Sequence, residues 1–305
     1  MVELLNKKSG TQFLLEPSRD YNQEMLPSYG AEYAQYASGG FDECFPTIRA
    51  TTYRSNGVSG ERNYVFPDHG ELWSIPWTYH LSDYAIYLSV RGVRSDYEFK
   101  KKITLHEHTV QIEYTLVNMS EHILEYLWTP QPLLQIHPGS QLLLDEGIHS
   151  VFLEWSTDAA IGEQGSSLPW PHLDDTQKMD YRIVPEPDVE RAVKLYTHAP
   201  RSGECGLHRK DTGERILFRY DTEQFPYLGL WLCYGGWPAD APHSLYTIAL
   251  QPGTSRADSL QTALEREEYS EIGVHEVKEW SLWIDILAEG DDSVYSKKHT
   301  AYETK

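Results

Sequence analysis

Five short segments concentrate the side chains that could move protons or grip a polar ring. Gly39-Gly40-Phe41-Asp42-Glu43-Cys44-Phe45-Pro46-Thr47-Ile48 carries two adjacent carboxylates, and Phe66-Pro67-Asp68-His69-Gly70-Glu71-Leu72-Trp73 sets an imidazole between two more. Leu127-Trp128-Thr129-Pro130-Gln131-Pro132-Leu133-Leu134 places a tryptophan near an amide, and the stretch 230–238 holds Trp231, Tyr234 and Trp237. A second amide, Gln251, follows in Ile248-Ala249-Leu250-Gln251-Pro252-Gly253. Positioned imidazoles and carboxylates are the usual general acids and bases. Aromatic faces give flat apolar contact with a polar edge. Each residue also has a plainer reading: Asp42, Glu43, Asp68 and Glu71 as turn caps or ion pairs, His69 as a turn residue, and the aromatics as core.

Those segments sit among elements that read as strands. Val110, Ile112, Tyr114 and Leu116 alternate with polar residues, as do Trp280, Leu282, Ile284 and Ile286. That period of two predicts strands with one buried face. Ile103-Thr104-Leu105 reads as the hairpin partner of the first, joined through His106-Glu107-His108. Shorter extended runs fall at 84–90, 215–220 and 245–250. The best helix candidate is 258–269, with Leu260 and Leu264 four apart. Many short strands with few helices predict an all-β, mostly antiparallel sandwich or barrel rather than a parallel α/β sheet. The polar stretch 162–187 reads as a long surface loop, a candidate flank of the site. We expect one domain over residues 1–290 and a solvated tail over 291–305.

Composition narrows the partners. Twenty-six Lys and Arg face 46 Asp and Glu, a formal net charge of −20, which repels phosphate backbones and anionic lipid and argues against nucleic acid and membrane. No apolar run suits a signal peptide or a membrane span, so a cytoplasmic location is expected. Cys44, Cys205 and Cys233 are odd in number and widely spaced, which suits reduced thiols. Asn118-Met119-Ser120 matches a glycosylation pattern only by chance in that setting. The 9 Trp, 21 Tyr and 8 Phe fit ring stacking on a sugar and fit strand filling equally well. No phosphate-cradling glycine loop, serine-nucleophile turn or His-Glu-x-x-His pattern occurs, and nothing calls for a metal or another cofactor. Oligomeric state is not legible.

Taken in order, the five segments resemble the aldose 1-epimerase (galactose mutarotase-like) family, notably members with Asp-Glu-Cys-Phe-Pro and His-Gly-Glu-Leu-Trp motifs. The resemblance runs from about Gly39 to Ile286. It implies a β-supersandwich with a monosaccharide or sugar derivative lying in an open cleft. It also implies mutarotation, in which a base takes the anomeric proton while an acid protonates the ring oxygen. Carried across, the family's ring-oxygen histidine falls on His69, its acid on Gln131 and its base on Gln251. Amides do not titrate in the useful range, so the resemblance implies sugar binding with weakened or altered isomerase chemistry. The alternatives are a non-catalytic sugar sensor or partner-binding module on the same fold, and an epimerase or lyase working through cleft carboxylates. Asp42, Glu43, Asp68, Glu71, Trp128, Trp231 and Tyr234 are the expected substrate contacts, with Trp237 a further stacking candidate. His137, six residues beyond Gln131, would lie ~20 Å away along a strand, and Pro138-Gly139 predicts a turn there.

Overall fold

In the computed structural model the described residues are 1–17, 27–36, 39–55, 62–173, 179–238 and 244–290. Nearly all regular structure among them is antiparallel strand. One sheet has eight strands, ordered Gln141–Leu143, Glu204–His208, Arg215–Arg219, Val277–Leu287, Thr109–Asn118, Tyr97–His106, Ala85–Arg91 and Thr78–Leu81. A second has six, ordered Leu134–Gln135, Tyr246–Gly253, Tyr227–Tyr234, Arg191–His198, Ser150–Ser156 and Ser167–Pro169, and the remaining strands form two-stranded ladders.

The alternating sequences land as expected. Along Thr109–Asn118 every second residue is buried, putting Val110, Ile112, Tyr114 and Leu116 on the core face. Its hairpin partner runs the full length Tyr97–His106 and turns through Glu107-His108, with Glu107 at φ 52°. Tyr114, Trp128, Phe225 and Trp280 meet in one aromatic cluster with ring centroids 4.8–6.1 Å apart.

The central strands of the six-stranded sheet behave differently. Arg191–His198 and Tyr246–Gly253 are buried almost end to end, so both their faces are covered. One face meets the core. The other faces the loops that carry Arg49, His69, Trp237 and Asp258. A short two-stranded ladder, Phe41–Cys44 against Thr129–Pro132 with Gln131 opposite Asp42, runs alongside Tyr246–Gly253. Thr129 Oγ1 joins the two by donating to the Pro252 carbonyl at 3.0 Å.

Two expectations change in detail. The helix spans only Leu260–Glu265, because the chain turns out of it at Glu267, held at φ 57°. The stretch 162–187 is not wholly loop: Ser167–Pro169 pairs with Ser150–Ser156 as an edge strand. Residues 174–178 of that stretch, and the expected tail 291–305, lie outside the described residues. All three cysteines are buried and free. No helix among the described residues is long and apolar enough to cross a membrane.

Candidate functional site

The site begins with side-chain direction on the six-stranded sheet. Trp155, Lys194, Trp231 and Ala249 form one cross-strand row, and Tyr196, Gly229 and Gln251 the row two residues on. Residues opposite one another, or two apart, share a face. Both rows therefore face the loops that carry Arg49, His69, Trp237 and Asp258. A β-bulge sets this row's edge: the register shifts between Leu153 and Trp155, with Glu154 as the extra residue.

Gly229 opens space within the floor. A Cβ built there would lie 3.1 Å from the Tyr196 ring, 3.2 Å from Lys194 Nζ and 3.3 Å from Gln251. The absent side chain lets the lysine lie diagonally toward Gln251. Above the floor is a cavity of about 200 Å³, with His69, Gln131, Trp237, Arg49 and Asp258 in its walls. His69, Gln131 and Gln251, more than a hundred residues apart at the extremes, thus converge on one space.

Each wall residue has a local cause. His69 and Gly70 both take left-handed backbone, at φ 58° and 72°. At Gly70 a Cβ would fall 2.1 Å from the Phe45 carbonyl oxygen, so the turn can close only on glycine. Glu71 N donates to that same carbonyl at 2.7 Å. The imidazole of His69 stacks on Tyr33, with ring centroids 3.6 Å apart and planes 6° from parallel. Asp68 Oδ2 lies 3.2 Å from its Nδ1, a close contact out of line for a full hydrogen bond. Burial opposes ionisation of Asp68, yet the neighbouring imidazole holds its carboxyl below the ordinary value. Gln131 is kept extended by Pro130 and Pro132 and is almost wholly buried.

The hydrogen bonds among the buried groups have a direction. Lys194 Nζ donates to Gln251 Oε1, and Gln251 Nε2 donates to Gln131 Oε1. An ammonium is donor-only, so it fixes the orientation of both amides in turn. Gln131 is left with its N–H donors for a ligand, while the carbonyl of Gln251 is already taken. Tyr196 donates to Asp258 Oδ1 at 2.6 Å, and that oxygen also lies 3.9 Å from Lys194 Nζ. Burial pulls the Lys194 ammonium below the usual lysine value, with Asp258, Cys44 and Glu154 acting in the opposite sense.

Behind this floor, burial and then the charge of Asp258 push Glu154 up to about 7, against Arg49 at 3.7 Å and Arg266 at 4.0 Å. A carboxyl raised in the folded state stabilises fully below its unfolded value of 4.5, and that stability is lost as pH rises toward 7. We therefore expect stability to fall across that window by on the order of 2–3 kcal/mol. Glu154→Gln should flatten this part of the profile in denaturant melts taken at a series of pH values.

The expected contacts divide cleanly. His69, Gln131, Gln251, Trp231 and Trp237 line the cavity, and Asp68 stands behind His69. Trp231 meets Trp155 at 5.8 Å and Trp237 nearly edge-on at 5.7 Å. Asp42 sits opposite Gln131 in the ladder but does not line the cavity, and burial raises its pKa. Four expected contacts lie elsewhere. Glu43 is one residue further on and points the other way, to Lys101 Nζ at 2.7 Å and Tyr114 Oη at 3.2 Å. Glu71 accepts from Tyr29 Oη at 2.7 Å and from the Arg94 and Val93 amides at 2.9 and 3.3 Å, a structural clamp. Trp128 is in the aromatic core, and Tyr234, an odd step from Trp231, faces the interior. His137 sits at a turn near Asp211, 3.6 Å away, and does not reach the cavity.

Lys194, Trp155, Arg49 and Asp258 were missed. A legible signal for the first was a single lysine inside the otherwise uncharged run Ala192-Val193-Lys194-Leu195-Tyr196. A lysine is almost never fully buried without a partner. A larger groove of about 720 Å³ lies on the eight-stranded sheet among Thr78, Lys100, Lys102 and Glu113, away from all of these groups.

Comparison with solved structures places this architecture. The Slr1438 protein of Synechocystis sp. PCC 6803 superposes with a TM-score of 0.66 at 14% identity, covering 92% of this chain and 86% of its own. A galactose mutarotase-like protein of Clostridium acetobutylicum gives 0.65 at 14% identity, over 94% and 89%. A galactose mutarotase related enzyme of Lactobacillus acidophilus gives 0.63 at 10% identity, over 93% and 89%. No protein-family model and no curated protein matches the sequence. The chain has the galactose mutarotase-like β-sandwich fold.

Proposed function

We propose that the cavity binds a monosaccharide or sugar derivative, and that the protein is an aldose 1-epimerase-like isomerase whose usual acid and base have been replaced by amides. The observation that carries this reading is the convergence of His69, Gln131 and Gln251 on one cavity walled by three tryptophans. Indole faces suit the C–H faces of a pyranose, and the free N–H donors of Gln131 suit a ring or anomeric oxygen. We take residues 1–290 as one domain carrying this single site. Its buried, free cysteines fit a reducing compartment such as the cytoplasm.

Binding is tested at His69. Replacing it with alanine should weaken sugar affinity by about 1–3 kcal/mol, the cost of leaving a polar partner unsatisfied. Calorimetric titration of both proteins reads the difference. Equal affinities, with equal melting temperatures, would remove His69 from the site.

The commitment of Gln251 to Lys194 favours a second reading, a silent sugar sensor. Optical rotation of freshly dissolved α-glucose and α-galactose separates the two. Acceleration at micromolar protein excludes the sensor, and a bound sugar whose rotation decays at the solvent rate excludes the isomerase.

A further inference from the structure

Mutarotation needs a group that accepts a proton at the anomeric hydroxyl, and Gln251 cannot be that group. Its carbonyl is engaged by Lys194, its amide nitrogen by Gln131, and it is 1% exposed. The ionisable groups that line the cavity are Tyr33, Arg49, His69, Lys194 and Asp258. Arg49 stays protonated at any working pH. His69 faces Asp68, and Asp258 holds the Tyr196 hydroxyl. Tyr33 is committed to stacking against His69. Lys194 remains. It lies beside the amide that stands at the family's base position, in the room that Gly229 leaves.

We propose that Lys194 is the catalytic base of this site, acting in place of the missing carboxylate, with His69 as the acid. The inference rests on the sugar-binding reading above. In the forward step the uncharged amine takes the proton of the anomeric O–H. The electron pair left on that oxygen forms the C1=O bond, the bond from C1 to the ring oxygen breaks, and its pair accepts the proton of the His69 imidazolium. Rotation about the first carbon–carbon bond and the reverse transfers close the ring as the other anomer. Both protons return to their carriers, and no further reactant is needed.

The surroundings fit both states of the amine. Asp258 at 3.9 Å and the Tyr196 ring, 4.8 Å from Nζ, stabilise the ammonium once formed. Burial favours the uncharged amine between turnovers, while Asp258, Cys44 and Glu154 limit that effect.

Two variants separate proton transfer from scaffolding. Lys194→Arg keeps a donor and a charge beside Gln251 but cannot release a proton, whereas Lys194→Met removes both. Affinity for D-glucose and D-galactose is read by calorimetry, and anomer exchange of the bound sugar by polarimetry and NMR across pH. We expect both variants to lose at least 100-fold in exchange rate, with Lys194→Arg binding within about threefold of the natural chain. We also expect the pH dependence of the natural rate to carry one limb set by an ionisation below the ordinary lysine value, and Lys194→Arg to lose that limb. Exchange by Lys194→Arg within threefold of the natural rate overturns the proposal and leaves a positioning role. Binding without any exchange in the natural chain overturns it while sparing the sugar-binding reading. Absence of binding to either sugar overturns both.

Discussion

Replacing Gln131 with histidine and Gln251 with glutamate together should raise the rate of mutarotation by about 10²-fold or more on a sugar that the protein binds. The two positions line the same cavity and their amides are in hydrogen-bonding contact, so the pair would regain two titratable groups on adjoining walls. Each well-placed proton carrier contributes roughly 10²–10⁴-fold. Neither single change should match the pair, since one carrier without its partner leaves charge building up in the transition state. Glutamate at 251 would meet Lys194 and stay ionised at neutral pH. In that background Lys194→Met should cost far less than it does in the natural chain. A double variant that folds, binds sugar and gains nothing would show that these positions no longer face the reacting atoms.

The second large effect is expected at Gly70. An alanine Cβ there would meet the Phe45 carbonyl oxygen at 2.1 Å, and the backbone is at φ 72°. Backbone cannot yield as a flexible side chain can, so Gly70→Ala must reopen the turn that carries Asp68 and His69. We expect a loss of about 2–4 kcal/mol in denaturant unfolding, typical of strained backbone and a broken local network. Sugar affinity should fall with it, because His69 is held against Tyr33 by this turn. Gly229→Ala makes the contrast. Its new Cβ meets the Tyr196 ring at 3.1 Å, Lys194 Nζ at 3.2 Å and Gln251 Cβ at 3.3 Å, side chains rather than backbone, so stability should fall less than at Gly70 while the contact from Lys194 to Gln251 shifts.

Much of this architecture could be read from residue alternation. Thr109–Asn118 and Val277–Leu287 betray their buried faces because solvent covers the other side. Arg191–His198 hides its role because the loops around the cavity bury its second face too, which removes the alternation. The site was legible only as far as motif order reached. His69, Gln131 and Gln251 lie together, but motif membership does not say which way a side chain points. Glu43 and Asp42 are neighbours in sequence and oppose each other across a strand. Trp231 and Tyr234 part for the same reason. Lys194 and Trp155 belong to no motif and meet the others only through sheet register.

A sugar is expected in the cavity above the six-stranded sheet. Crystals soaked with D-glucose or D-galactose test it directly. A pyranose should lie with a face against the indoles of Trp155, Trp231 or Trp237, and its ring or anomeric oxygens within hydrogen-bond reach of Gln131 Nε2, His69 and Lys194 Nζ. Sugar density confined to the groove by Thr78, Lys100 and Glu113, with the cavity left empty, would contradict it.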